Sequence, residues 1–136
     1  MDVKEFAILL VVMLILDYIW LGILQKDYIS QKIQDLNRTT EIPHPPLTFV
    51  ATYMLMAMGL YYFVLSRRSG KDRMKVVMES MFLGLVIYTT FDFSMLNLAA
   101  KWTMYDAIKD IMWGTFMFGL SAYLYLVIVD GVKKSS

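Results

Sequence analysis

The stretch Leu83–Trp102, LGLVIYTTFDFSMLNLAAKW, decides the fold of this chain. It has the length and the apolar character of a membrane-spanning helix, which needs about 20 mostly apolar residues. One carboxylate, Asp92, nevertheless lies in its second half. Because an ionisable group inside a bilayer costs free energy, its presence in such a helix indicates a polar site that other helices share.

Two further apolar segments carry an aspartate in the same way. Asp17 lies in residues 16–22, LDYIWLG, and Asp110 lies in residues 109–114, KDIMWG. Neighbours at helical spacing extend the polar face of each segment with aromatic side chains or a second carboxylate. The predicted polar cluster, a candidate ligand or ion site, consists of Asp17, Trp20, Tyr88, Asp92, Asp106, Asp110 and Trp113.

The composition of the whole chain supports a membrane location. Of its 136 residues, 58% are hydrophobic, and the mean hydropathy is +0.53, whereas soluble domains are about 45–50% apolar. The net charge of +1 gives no electrostatic reason to expect a nucleic-acid partner. The absence of cysteine excludes disulfides, thiolate metal sites and cysteine nucleophiles. We therefore predict an integral protein of the lipid bilayer.

Four windows are long and apolar enough to span the bilayer. They predict a single domain, an all-α bundle of four transmembrane helices at about residues 6–24, 47–65, 76–98 and 107–129. The first window resembles a signal peptide, but it is too long for the apolar core of one, and Asp17, Tyr18 and Trp20 make a poor cleavage region. We therefore expect this first helix to be retained.

The longest connection, residues 25–46, carries a short amphipathic pattern. Ile29, Ile33 and Leu36 recur at helical spacing, with charged residues on the other sides. This pattern predicts a short helix lying on the membrane surface between the first two spans. The prolines of residues 43–46 then predict a rigid turn before the second span, since proline restricts the backbone and lacks an amide donor.

Basic residues set the expected orientation. The connection between the second and third spans holds the densest basic run: Arg67, Arg68, Lys71, Arg73 and Lys75. The positive-inside rule assigns such a run to the cytoplasm. With four spans, both termini are then cytoplasmic, with eight basic residues inside and five outside. In this topology, the aspartates of the three spans all fall in the outer half of the bundle.

The chemistry of the cluster follows from its charge. Lys109, at the outer edge, is the one cation expected near these aspartates. Carboxylates close together in a low dielectric cannot all ionise, so we predict that they share protons or a cation. A site for a small solute is a further candidate role of the same cluster. The alternative is that each accepts hydrogen bonds from tryptophan, hydroxyl groups or water and only fixes the packing of the helices.

The other residues favour a protein that is not an enzyme. No phosphate-binding loop, zinc motif or nucleophile elbow occurs, and the single histidine, His44, lies among the prolines of the predicted turn. The 12 methionines are typical of adaptable apolar packing rather than of a copper site, because cysteine is absent. No cofactor is predicted, and the pattern identifies no particular metal.

Small residues within the spans allow helices to approach each other closely. They include Gly59, Gly84, Gly114 and Gly119. We therefore expect that the chain can associate with other copies of itself, as a homo-oligomer, or with a larger membrane complex. The alternative function is a non-catalytic structural subunit of a larger membrane complex, including an enveloped particle, in which the carboxylates serve helix packing.

The same residues resemble a known family. Over nearly its full length, the chain is similar to an uncharacterised family of small four-helix membrane proteins, DUF2177. The resemblance rests on Leu16-Asp17 with Trp20-Leu21-Gly22, Tyr88 with Thr90-Phe91-Asp92, Trp102, and Asp110 with Trp113-Gly114. Members carry an aromatic-Asp-Leu-Thr-Asn run in the third helix; here Ser94 stands for the threonine and Met95 replaces the asparagine. The resemblance implies a four-helix membrane fold and brings no established activity with it.

Overall fold

The computed structural model of the protein describes residues 2–37 and 47–135, and in these ranges all regular structure is helical. The helices are α1 (Val3–Asp17), which continues as a π-helix (Tyr18–Leu24), α2 (Lys26–Asn37), α3 (Leu47–Phe63), a 3-10 turn (Leu65–Arg67), α4 (Arg73–Leu98) and α5 (Met104–Ser135). The predicted all-α fold is confirmed. The predicted turn at residues 43–46 lies outside the described residues.

Four of these helical segments are long and apolar enough to cross a membrane. They are Val3–Leu24, Leu47–Arg67, Arg73–Leu98 and Met104–Val132. Each predicted window lies within one of them, so the four-span prediction is confirmed. The agreement has a simple cause, because length and hydropathy are properties of a continuous segment and do not depend on its neighbours.

Aspartate side chains cap the starts of two of the spans. The Asp2 carboxylate accepts the amide of Lys4 at 2.8 Å at the start of α1, and the Asp72 carboxylate accepts the amide of Lys75 at 2.7 Å at the start of α4. Such caps satisfy amides that have no partner inside the helix. Gly70 adopts a φ of 80° in the connection that precedes α4. This left-handed conformation suits glycine and permits the short turn between the second and third spans.

The bundle is organised around α5. The longest interface is the one between α4 and α5, while α1 packs against both α5 and α3. In contrast, α3 makes little contact with α4. The buried core follows this arrangement and includes Leu9, Met13, Leu60, Phe118 and Tyr125. This arrangement leaves a gap between α3 and α4, and residues of both helices beside it line the candidate site.

Glycines allow α4 and α5 to lie very close together. A Cβ atom added to Gly84 would lie 2.8 Å from the carbonyl oxygen of Gly114 and 2.8 Å from Cβ of Phe118. A Cβ atom on Gly119 would meet the side chain of Met81. These small residues therefore serve an interface within the chain, whereas Gly59 on α3 has open space beside it.

The short helix α2 confirms the predicted helix between the first two spans. It packs against the π-helix, and Ile29, Ile33 and Leu36 are partly buried along it. Two polar residues, Tyr28 and Lys32, are also partly buried. Helix α2 therefore covers one end of the bundle, which we call the α2 end.

Candidate functional site

Asp17 and Trp113 connect the first and last spans. The Asp17 side chain is 5% exposed, and its Oδ1 accepts a hydrogen bond from Trp113 Nε1 at 2.6 Å. The ring of Trp20 stacks on that of Trp113, with centroids 4.6 Å apart and planes 5° from parallel. The hydrogen bond fixes the orientation of Trp113 relative to Asp17. The stacked rings add buried apolar area between the first and last spans.

The helical repeat changes next to Asp17. Residues Tyr18–Leu24 form a π-helix, and the amide of Gln25 donates to the carbonyl of Trp20, five residues earlier, at 2.7 Å. The wider π repeat changes which side chains share a face, and Asp17 and Trp20 both contact Trp113. Short π segments often occur at functional sites. The spacing of apolar residues carries no signal for this change, so it could not be predicted from the sequence.

Asp92 has the least usual environment of the cluster. Its side chain is fully buried, and among the described residues neither carboxyl oxygen has a hydrogen-bond partner. Its carboxyl group lies close enough to that of Asp110 for the two to interact electrostatically, but the two groups form no hydrogen bond. The Nε1 of Trp102 is nearby, but its geometry does not make a hydrogen bond with Asp92 or another described residue. We call Asp92 and Asp110 the acidic pair.

Asp17 and Asp110 both border a cavity of about 400 Å³, the main cavity. Four spans contribute to its walls, which are largely apolar. Five aromatic side chains line it: Phe49, Tyr53, Tyr88, Phe91 and Trp113. Asp106 and Trp20 do not line this cavity. Tyr88 lines the cavity and lies close enough to Asp17, Asp92 and Asp110 to interact electrostatically with their carboxyl groups.

Asp106 belongs to a different arrangement. The Thr103 amide donates to Asp106 Oδ2 at 2.9 Å, and the Asp106 amide donates to Thr103 Oγ1 at 3.2 Å. These reciprocal bonds form a capping box at the start of α5. The sequence carries a local signal for this box, a threonine followed three residues later by a carboxylate, although the spacing of carboxylates alone groups Asp106 with the cluster.

Helix α2 supplies the remaining partners of Asp106. Lys32 Nζ donates to Asp106 Oδ2 at 2.7 Å and to the carbonyl of Lys101 at 3.1 Å, and the Tyr28 hydroxyl donates to Asp106 Oδ1. The expectation that Lys109 is the one nearby cation was therefore wrong, because α2 folds Lys32 onto α5. Lys109 itself lies 3.8 Å from the centroid of the Tyr28 ring. Burial raises the pKa of Tyr28, and its hydrogen bond to Asp106 raises it further, so the phenol stays a neutral donor.

A second, smaller cavity lies beneath α2. Its volume is about 30 Å³, and its lining includes Trp20, Tyr28, Trp102, Asp106 and Asp110. This space is large enough for about one water molecule and offers it polar partners. Because Asp110 borders both cavities, its carboxyl group stands between the α2 end and the main cavity.

The structure thus brings Asp17, Tyr88, Asp92, Asp110 and Trp113 together, with Trp20 stacked behind them. It separates Asp106 from them as part of the capping box. Within residues 2–37 and 47–135, no group of three or more His, Cys, Asp or Glu side chains is arranged to hold a metal ion. The arrangement can hold a proton or a cation between the carboxyl groups, or an organic ligand in the main cavity.

Comparison with known protein families identifies a match over most of the chain. Residues 2–127 match the model of the family described as Predicted membrane protein (DUF2177). No curated protein and no solved structure matches the chain. The matched range contains the first three spans, most of the fourth and all seven residues of the predicted cluster.

Proposed function

This chain belongs to the DUF2177 family of predicted membrane proteins, and we propose that it handles protons, cations or a small solute at a buried acidic site. The acidic pair carries this proposal. Asp92 is fully buried without a donor among the described residues, and the carboxyl group of Asp110 lies close to it. Two such groups in a low dielectric repel each other unless a proton or a cation lies between them.

The other carboxylates of the site provide an internal comparison. Asp17 has an indole donor and Asp106 has an ammonium, a phenol and a capping threonine. Both satisfy the rule that a buried carboxylate is paired or hydrogen-bonded. The protein therefore contains carboxylates suited to a structural role, and Asp92 is not arranged as one of them. This contrast supports a role for the acidic pair beyond packing.

Infrared spectroscopy of the protein in nanodiscs tests the proposal. We expect either the carbonyl band of a protonated carboxyl group at neutral pH, or carboxylate bands that shift when sodium is replaced by a larger cation. Asp92→Asn and Asp110→Asn should each abolish the signal, because each removes one member of the acidic pair. Asp130→Asn, at the opposite end of the bundle, should leave it unchanged. Independent carboxylates that are indifferent to cations would contradict the proposal.

The second candidate is a structural subunit of a larger membrane assembly. The bond from Trp113 to Asp17 and the capping box of Asp106 favour it, because both tie helices or helix ends together. Under this function, Asp92→Asn should leave the neighbouring carboxyl bands in place and preserve or raise the stability, since a buried charge has been removed.

We also propose that both termini are cytoplasmic, so that the acidic pair lies in the outer half of the membrane. The basic run between α3 and α4 supports this orientation. Asp17, Asp92 and Asp110 lie toward the opposite end of the bundle from that run.

Cysteine labelling tests the orientation without background, since the chain has no cysteine. Ser69→Cys in the basic connection and Ser30→Cys on α2 replace exposed residues. In sealed cells, a membrane-impermeant maleimide should label the cysteine at residue 30 and reach the one at residue 69 only after permeabilisation. The reverse pattern would invert the topology, and labelling of both from one side would contradict four spans.

A further inference from the structure

The main cavity, rather than the acidic pair alone, indicates what kind of ligand the site takes. We infer that the main cavity binds an organic ammonium ion with an apolar body, with its charge toward Asp17 and Asp110. This inference rests on the proposed function and specifies its ligand. Three independent features carry it: the charge of the lining, its aromatic content and the position of the opening.

The lining of the main cavity is acidic, and no basic side chain among the described residues lines it. Asp17 and Asp110 are its ionisable carboxyl groups. The nearby cations are engaged elsewhere, since Lys32 is paired with Asp106 and Lys109 lies over the Tyr28 ring. Asp92, buried without a hydrogen-bond partner among the described residues, adds a third carboxyl group close to Asp110. A positively charged ligand complements this lining.

The aromatic content points to an ammonium ion rather than to an inorganic cation. Five of the residues around the cavity are aromatic, and cations of the alkylammonium type bind aromatic faces. Calcium and magnesium require six or more oxygen ligands, and the described residues provide no cluster suited to a metal. A volume of about 400 Å³ also lies in the range of sites for small organic molecules.

The opening of the main cavity explains why the ligand needs an apolar body. The exposed lining residues are Phe49 and Thr52 on α3 and Phe91 on α4. These two helices make little contact with each other, so the cavity opens between them. In a bilayer, that opening faces lipid. An amphiphilic amine can partition into the membrane and then reach the carboxylates sideways, whereas a small hydrated ion cannot follow this route.

The test uses phenyltrimethylammonium as the probe and wild-type protein in nanodiscs of zwitterionic lipid, with empty nanodiscs as the blank. The uncharged isostere tert-butylbenzene has the same shape, and benzenesulfonate carries the opposite charge. Equilibrium binding of radiolabelled phenyltrimethylammonium should be saturable. Neither comparison compound should displace it at equal concentration, because neither offers a positive charge to Asp17 and Asp110.

Variants of the lining residues separate the contribution of the carboxylate charge to binding from that of the aromatic rings. Asp110→Asn and Tyr53→Leu should each weaken binding by about tenfold, since a desolvated charge pair or cation–π contact is worth that order. Tyr53→Phe should keep the affinity because it keeps the ring. Asp130→Asn and Phe63→Leu, which change an aspartate and an aromatic residue away from the cavity, should bind like wild type.

The experiments distinguish a failure of the ligand inference from a failure of the proposed function. Equal binding of the ammonium ion and its isostere, or binding that neither Asp110→Asn nor Tyr53→Leu weakens, overturns the inference. The comparison with the uncharged isostere uses only wild-type protein, so it still tests the inference if a variant fails to fold. If ammonium binding is absent while the infrared signal of the acidic pair persists, only the ligand class is wrong. If the infrared signal is absent, the proposed function fails whatever the probe does.

Discussion

Replacing Gly84 by valine should destabilise the protein by about 3 kcal/mol, the upper range for overpacking of a close interface. At this position even a Cβ atom would lie 2.8 Å from the Gly114 carbonyl oxygen and from Cβ of Phe118. Neither neighbour is the flexible end of a side chain, so the added atoms can be accommodated only by moving α4 away from α5. That movement would also separate Asp92 from Asp110, which lie on these two helices.

The free energy of unfolding, measured by steric trapping in bicelles, checks this expectation. Gly59→Val is the matched control, because no atom lies within 4 Å of a Cβ atom at Gly59. Its effect should stay within about 0.5 kcal/mol, as for other substitutions away from close contacts. The infrared signal of the acidic pair should be lost in Gly84→Val and retained in Gly59→Val. Equal destabilisation by the two variants would show that the α4–α5 contact is not as close as described.

Replacing Lys32 by methionine should cost about 3 kcal/mol, the lower range for removing one partner of a buried ion pair. The side chains of Lys32 and Asp106 are only 15% and 2% exposed, and their charged atoms are 2.7 Å apart. Without Lys32, Asp106 keeps its bonds to Tyr28 and Thr103 but loses its counter-charge. The effect should be greatest on α2, because Lys32 also donates to the carbonyl of Lys101 and so joins α2 to the start of α5.

Hydrogen exchange of α2, read by mass spectrometry, and the free energy of unfolding together check this result. The control is Arg73→Met, which breaks an ion pair whose side chains are 48% and 47% exposed and whose atoms are 3.4 Å apart. An exposed pair contributes about 0–1 kcal/mol. Faster exchange should appear in α2 of Lys32→Met alone. Unchanged protection of α2 would mean that other contacts hold this helix in place.

The two ends of the site therefore differ in electrostatic character. At the α2 end, Asp106 accepts hydrogen bonds from an ammonium, a phenol, a hydroxyl and a backbone amide, so its charge is compensated within the protein. One helical turn further along α5, Asp110 lies beside Asp92 and lines the main cavity, to which no lysine or arginine of the described residues contributes. The acidic groups without a basic partner therefore lie along the main cavity and not at the α2 end.

Much of the fold could be predicted from the sequence because the relevant signals are local. Length and hydropathy predict each span from its own residues, and the spacing of Ile29, Ile33 and Leu36 predicts α2 in the same way. The aspartates within apolar segments mark the cluster without any knowledge of packing. The sequence by itself thus determined the number of spans, their bounds within a few residues and the identity of the residues that deserve testing.

Only the tertiary structure decided which of these carboxylates are satisfied. Trp113 lies 96 residues from Asp17, and Asp106 lies 74 residues from Lys32, so no periodicity or spacing along the chain connects them. The same holds for the glycines, since Gly59 and Gly84 look alike in the sequence but only Gly84 lies against another helix. A hydrogen bond, an ion pair or a cavity depends on side chains that packing brings together from different spans. For this reason the main cavity, and an Asp92 side chain without a hydrogen-bond partner among the described residues, emerge only when the four helices are assembled.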